Sequence, residues 1–215
     1  MESVKSAFLV QQNPGSTPAQ LKEANKWLEH FQGTTEAWTT ADQLLSLDNS
    51  SNDPLLSATH VFAAQTMRTK IQYDWAELPA DSHKALRSSL MAHIVRFGQG
   101  PGPVLTQLCL AIATLALHME SWKTVVPDLI QALTTPAEQA TSKLPCLLEL
   151  LGVLPEEAEN YKVGVIPRQR DEFRTGVHAS GPQVLQLMTQ VHSQCNADVS
   201  LMSRLLRCAT SWLRH

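Results

Sequence analysis

Residues 62–83 read FAAQTMRTKIQYDWAELPADSH. Taken every fourth residue, an apolar line runs through Ala63, Met67, Ile71 and Trp75 to Leu78. That spacing marks one face of a helix, where side chains three and four apart lie above one another. Pro79 ends the stripe, because proline lacks an amide proton and disfavours helix in the residue before it. A second stripe follows in Leu86, Leu90, Ile94 and Phe97, with Asp81 or Ser82 as its cap. The stretch predicts a helix to about Glu77, a tight turn and another helix. Two helices alone cannot bury stripes this long, so further helices must stack on them.

The rest of the chain repeats the pattern. Thr17-Pro18-Ala19-Gln20 combines an N-cap, proline at the first helical position and a glutamine able to close a capping box. It opens a helix with Leu21, Ala24, Leu28 and Phe31 on one face, ended by Gly33. Thr34 or Thr35 caps a helix carrying Trp38, Ala41, Leu44 and Leu45. Residues 46–53 are polar loop, and Asp53-Pro54 repeats the cap-plus-proline signal. A helix over about 103–119 is apolar nearly all round and is expected in the core. Ser121 starts the next, with Pro127 either in its first turns or kinking it; 134–142 reads as loop. Leu144, Leu147, Leu148 and Leu151 mark a helix ending near Leu154-Pro155, followed by loop over 156–170. A helix from about Gln169, interrupted at Gly181-Pro182, runs to near Cys195, and the last starts at Asp198. Nothing reads as a strand: β-branched residues never alternate with polar ones, and no Asn-Gly or Asp-Gly turn occurs.

Helical starts near 18, 54, 103, 143 and 198 step by about 40 to 50 residues, the range of HEAT or armadillo repeats. The expected fold is all-α: a right-handed α-solenoid arch of about four and a half HEAT-like hairpins. The expected units are an N-terminal segment 1–17, repeats over 18–47, 53–97, 103–134 and 143–195, and the first helix of a fifth over 197–215. In the last helix, Leu205, Leu206, Trp212 and Leu213 lack a following partner. The chain therefore reads as the N-terminal piece of a longer solenoid; the rival reading folds that helix back or covers it with a partner.

Composition narrows the function classes. Of 215 residues, 43% are hydrophobic and 17% charged, enough for a core. A formal charge of -3 gives no general pull toward nucleic acid or anionic membrane. The longest apolar run, 108–119, is too short for a bilayer that needs about 20 residues, and the N-terminal run is too short for a signal peptide. Cys109, Cys146, Cys195 and Cys208 are widely spaced and form no CxxC, so they read as reduced, buried thiols of a cytosolic or nuclear protein.

No catalytic chemistry is legible. Asp81-Ser82-His83 cannot be a triad, since adjacent helical residues point about 100° apart. The eight histidines form no HxxxH or HExxH pair, so no metal is expected. The loop GQGPGP at 98–103 lacks the Lys-Ser/Thr of a phosphate loop. Arg68, Lys70 and Arg87 read as a solvated face. Trp27, Trp38, Trp75, Trp122 and Trp212 lie on or beside apolar stripes and read as packing between repeats; the alternative sets one or two on the inner face as binding anchors. The chain is not expected to be an enzyme or to need a cofactor.

The quoted stretch carries a further signal. FAAQTMRTKIQYDWAELPADSHKALRSSLMAHI (62–94) resembles the second repeat of the transportin-3/importin-13 branch of importin-β-like nuclear transport receptors, and lies nearer the transportin-3 side. TQLCLAIATLALHMESWK (106–123), LPCLLELLGVLPEE (144–157) and LLRCATSW (205–212) follow in register, and residues 24–46 resemble the first repeat. Three features depart from the family pattern: the family's first helix usually begins earlier and is longer, whereas the opening residues here are short and carry NPGSTP; residues 158–182 match only loosely; and family members run to about twenty repeats.

The resemblance implies a carrier. Its partners would be Ran-GTP, nucleoporins, and serine/arginine-rich cargo held by downstream repeats, with no nucleic acid or membrane. The protein would be a monomer shuttling between cytoplasm and nucleus. Ran-facing second helices would fall at 35–46, 82–97 and 121–133, with Trp38, Asp42, His83, Arg87, Lys123 and Asp128 as candidate contacts. The alternative is a HEAT-repeat scaffold or adaptor that does not bind Ran.

Overall fold

A computed structural model of the protein describes residues 1–48, 53–100, 102–194 and 198–215. Among these residues every regular element is helical. Eleven α-helices follow in order: α1 (Glu2–Gln12), α2 (Pro18–Gln32), α3 (Glu36–Leu45), α4 (Pro54–Tyr73), α5 (His83–Arg96), α6 (Gly102–His118), α7 (Val125–Thr134), α8 (Ala137–Ala158), α9 (Pro167–Ala179), α10 (Gly181–Gln194) and α11 (Val199–Arg214).

The caps act as their residues suggest. Thr17 and Gln20 form a full capping box at α2. The Asp53 carboxylate accepts from the Leu55 amide at 2.9 Å, and that of Asp198 accepts from the Leu201 amide at 3.0 Å. Each satisfies an amide that the first helical turn leaves without a partner.

Packing sorts the helices into two rows. α4, α6, α8 and α11 lie side by side, each in close contact with the next. α3 lies on α4, α5 on α6, and α7 on α8; α1 packs on α2 and α4. The main contacts therefore pair α3 with α4 and α5 with α6, whereas the repeats expected above pair α4 with α5 and α6 with α7. The core runs along the first row. In α6, Leu105, Leu108, Ile112, Leu115 and Leu117 are all fully buried, which explains its lack of a polar face.

Four local readings are corrected. Residues 1–17 contain α1, whose Val4, Ala7 and Phe8 are buried; Phe8 meets Phe62 edge-on at 5.5 Å. α4 stops at Tyr73 rather than near Glu77, and single 3₁₀ turns follow at Trp75–Glu77 and Ala80–Ser82. α7 begins at Val125 rather than Ser121. α8 begins at Ala137 and continues through Pro145 and Pro155 to Ala158. A proline normally breaks a helix, but Leu144, Leu147, Leu148, Leu151 and Leu154 form one unbroken buried face along α8. That burial against α6, α7 and α11 outweighs the lost backbone hydrogen bonds.

Cys109, Cys146 and Cys208 are buried free thiols. Cys195 lies outside the described residues. Among the described residues, no helix is long and apolar enough to cross a membrane.

Candidate interaction surface

The six candidate residues lie on α3, α5, α7 or the turns beside them, and the structure gives most of them an internal partner. Trp38 is buried on α3, and its indole Nε1 donates to Glu77 Oε2 at 3.1 Å. Lys70 is fully buried and salt-bridged to Asp74 at 2.8 Å and to Glu77 at 2.7 Å, with its ammonium 5.5 Å from the Trp38 ring centre. A buried ammonium is tolerated only when paired. The cost of leaving it unpaired explains why the chain winds into a 3₁₀ turn that carries Glu77 back over α4. Hydrogen bonds from Lys70 and then Trp38 hold the Glu77 carboxyl below its ordinary pKa. Lys70 is thus no solvated cation, contrary to the sequence reading.

Asp42 on α3 reaches α5. Its carboxylate accepts from the Ser89 hydroxyl and pairs with His93 Nε2 at 2.9 Å. His83 opens α5 with its ring 4.0 Å from that of Trp75, and His118 stacks on Trp75 at 5.2 Å. Burial, followed by the nearby Arg170 and His83, lowers the His118 pKa to about 4. Arg87 lies over Trp122 with its guanidinium carbon 4.6 Å from the ring centre, and Trp122 Nε1 donates to Asp128 Oδ2 at 2.8 Å. Lys123, on the turn before α7, pairs with Glu172 of α9. Lys123 and Asp42 keep substantial exposed side-chain surface; Trp38 does not.

A second line of polar contacts crosses the first row, and sequence reading missed it. Gln32 bonds Thr66 at 2.9 Å, and Arg68 bonds Gln107 at 3.4 Å. Thr106 donates to Glu149 at 2.5 Å, and Glu149 also takes Arg204 at 3.1 Å. The available signal was Glu149 itself, a lone acid inside the leucine run LPCLLELLGVL.

The thiols are inert: burial raises the pKa of Cys208 to about 12 and pushes Cys109 and Cys146 up as well. Among the described residues, no group of three or more His, Cys, Asp or Glu could hold a metal ion. A groove of about 660 Å³ follows α11 along Val199, Met202, Leu206, Arg207 and Arg214. Leu206 in this groove and Leu213 elsewhere on α11 are exposed, as expected from sequence, but Leu205 is buried and Trp212 Nε1 donates to the Leu151 carbonyl at 2.8 Å.

Comparison with known families completes the picture. Residues 24–96 match the importin-beta N-terminal domain, and residues 101–215 match the Exportin 1-like protein family. The chain belongs to the importin-β family. Transportin MOS14 of Arabidopsis thaliana is 37% identical over 191 residues, covering 89% of this chain and 19% of that protein. Human Importin-13 is 32% identical over 197 residues, again covering 89% of this chain and 19% of its own length. The chain thus spans about a fifth of the length of these importin-β relatives.

Proposed function

We propose that this chain forms the N-terminal part of a nuclear import receptor that recognises Ran in its GTP-bound form. The receptor is nearest to transportin-3 in its ELPADSH and SWK segments and takes serine/arginine-rich cargo through repeats beyond residue 215. It works by binding alone, shuttles between cytoplasm and nucleus, and passes nucleoporins on the way. The observation that carries the reading is the match of residues 24–96 to the importin-beta N-terminal domain, on a stack of helix hairpins that continues through 215. Of the candidate contacts, Asp42 and Lys123 keep substantial exposed side-chain surface, and Trp38 is buried.

The expected result is retention of the chain on immobilised Ran loaded with a GTP analogue and its loss from the GDP form. Lys123→Glu, at an exposed position, should weaken that retention without changing helix content. Equal retention on both forms returns the adaptor reading. One observation favours that alternative: Trp38, Asp42, Arg87 and Asp128 already spend their polar groups on internal partners.

A further inference from the structure

The loop between α8 and α9 is built around Arg170. This buried guanidinium donates to the Ala158 carbonyl at 2.9 Å and to the Val163 carbonyl at 2.8 Å, so it fixes both ends of the loop's first half. Between those ends the Val163 amide donates to the Asn160 carbonyl at 3.2 Å, closing a turn with Tyr161 and Lys162 at its centre. The Tyr161 ring lies over the guanidinium, 4.9 Å from its carbon to the ring centre, and is 75% exposed. Its hydroxyl donates to Glu159 Oε2 at 3.3 Å, a long contact at the surface. The apex of the turn can therefore lift away while the anchors at Ala158 and Val163 stay in place.

We propose that Tyr161 is the acceptor for a protein tyrosine kinase. Exposure alone does not separate the chain's two tyrosines, since Tyr73 is 64% exposed. The backbone does. Tyr73 is the last residue of α4, and Lys70 holds the chain beyond it through Asp74 and Glu77. Drawing Tyr73 into a kinase cleft would unwind a helix end and break the pairing of a buried ammonium. Tyr161 lies in residues 159–166, which contain no helix. Glu156, which is exposed, and Glu159 precede it by five and two residues, placing negative charge where a basic substrate groove can read it.

The γ-phosphoryl group of ATP passes to Tyr161 Oη. The bond from the γ-phosphorus to its bridging oxygen breaks, the bond from Oη to phosphorus forms, the phenolic proton goes to the kinase's base, and ADP leaves. The new group carries about −1.5 to −2 charge and faces the Glu159 carboxylate that the hydroxyl used to serve. Arg174 of α9 pairs with Glu159 Oε1 at 3.5 Å and with Asp171 at 2.8 Å. Phosphate and Glu159 then compete for this guanidinium, and phosphate is the stronger acceptor. Phosphorylation thus loosens the ion pair that ties the end of α8 to α9.

The test is incubation of the folded chain with ATP and the catalytic domain of a tyrosine kinase that prefers acidic substrates, with the modified peptide located by mass spectrometry. Incorporation is expected at Tyr161, with Tyr73 modified at least about tenfold more slowly because its segment must open first. Tyr161→Phe should abolish the incorporation, and Tyr73→Phe should leave it unchanged. The melting temperature should fall on phosphorylation, and fall less in Glu159→Gln, which sets no carboxylate against the phosphate. Equal rates at Tyr73 and Tyr161, or no incorporation at Tyr161 in a chain with full helical dichroism, would overturn the proposal. An equal fall in melting temperature with and without Glu159 would overturn the competition for Arg174.

Discussion

Trp38 and Glu77 are 39 residues apart, yet the Trp38 indole donates to the Glu77 carboxylate at 3.1 Å while Lys70 grips the same oxygen from below. This contact closes the turn that follows α4 onto α3. It also explains why the apolar stripe of 62–83 leaves the helix after Tyr73: the buried ammonium of Lys70 draws Asp74 and Glu77 over it.

Lys70→Ala should therefore be costly. It removes the buried partner of two carboxylates and leaves a void beneath Trp38. A loss of about 3 kcal/mol is expected, at the low end for breaking a buried pair because Asp74 and Glu77 are partly exposed. Urea denaturation followed by tryptophan fluorescence measures it; a change under about 1 kcal/mol would show that the pair contributes little net stability.

Gly98, just after α5, lies against Cys146 of α8. A Cβ placed there would lie 2.3 Å from Cys146 Sγ. Gly98→Ala should cost about 1 to 3 kcal/mol by overpacking. Adding Cys146→Ala should recover most of the loss, and thermal denaturation of the double variant checks this. Failure to recover would place the strain in the backbone instead.

Trp75 is half-buried rather than core, stacked between His83 and His118. Trp75→Ala should cost about 2 to 3 kcal/mol, below the usual 3 to 5 for a fully buried tryptophan. Chemical denaturation that returns a neutral effect would free this ring to act as a contact residue.

Acid should weaken the fold before the carboxylates titrate. His118 has a folded pKa of about 4 against 6.5 unfolded, and burial lowers His60 too. Below about pH 6.5 the unfolded chain binds these protons first, so stability is full above that pH and falls on acidification toward 4. For His118 alone the loss approaches about 3 kcal/mol at 1.36 kcal/mol per unit. Melting temperatures across that window should decline, and His118→Gln should flatten the decline.

Much of the helical architecture was visible because its cues are local. The capping box at Thr17, the Asp53-Pro54 start and the four-residue stripes act over one or two turns. What escaped was decided by contacts distant in sequence. Pro145 and Pro155 read as breaks, but α8 gains enough burial to run through them. Lys70 reads as a surface cation, and only its pairing with Asp74 and Glu77 beneath Trp38 makes it interior. The candidate contacts were legible as polar residues off the apolar stripe. Their internal partners were not, because Asp42 and His93 lie 51 residues apart. Glu149 shows a further reason: its partners Thr106 and Arg204 lie 43 and 55 residues away.

The most direct test of the transport-receptor account is calorimetric titration of the folded chain with Ran carrying a GTP analogue, and in parallel with Ran carrying GDP. The account predicts heat of binding with the GTP form and none with the GDP form at the same concentrations. Equal binding to both forms, or none to either by a chain whose dichroism shows its full helical content, would contradict it.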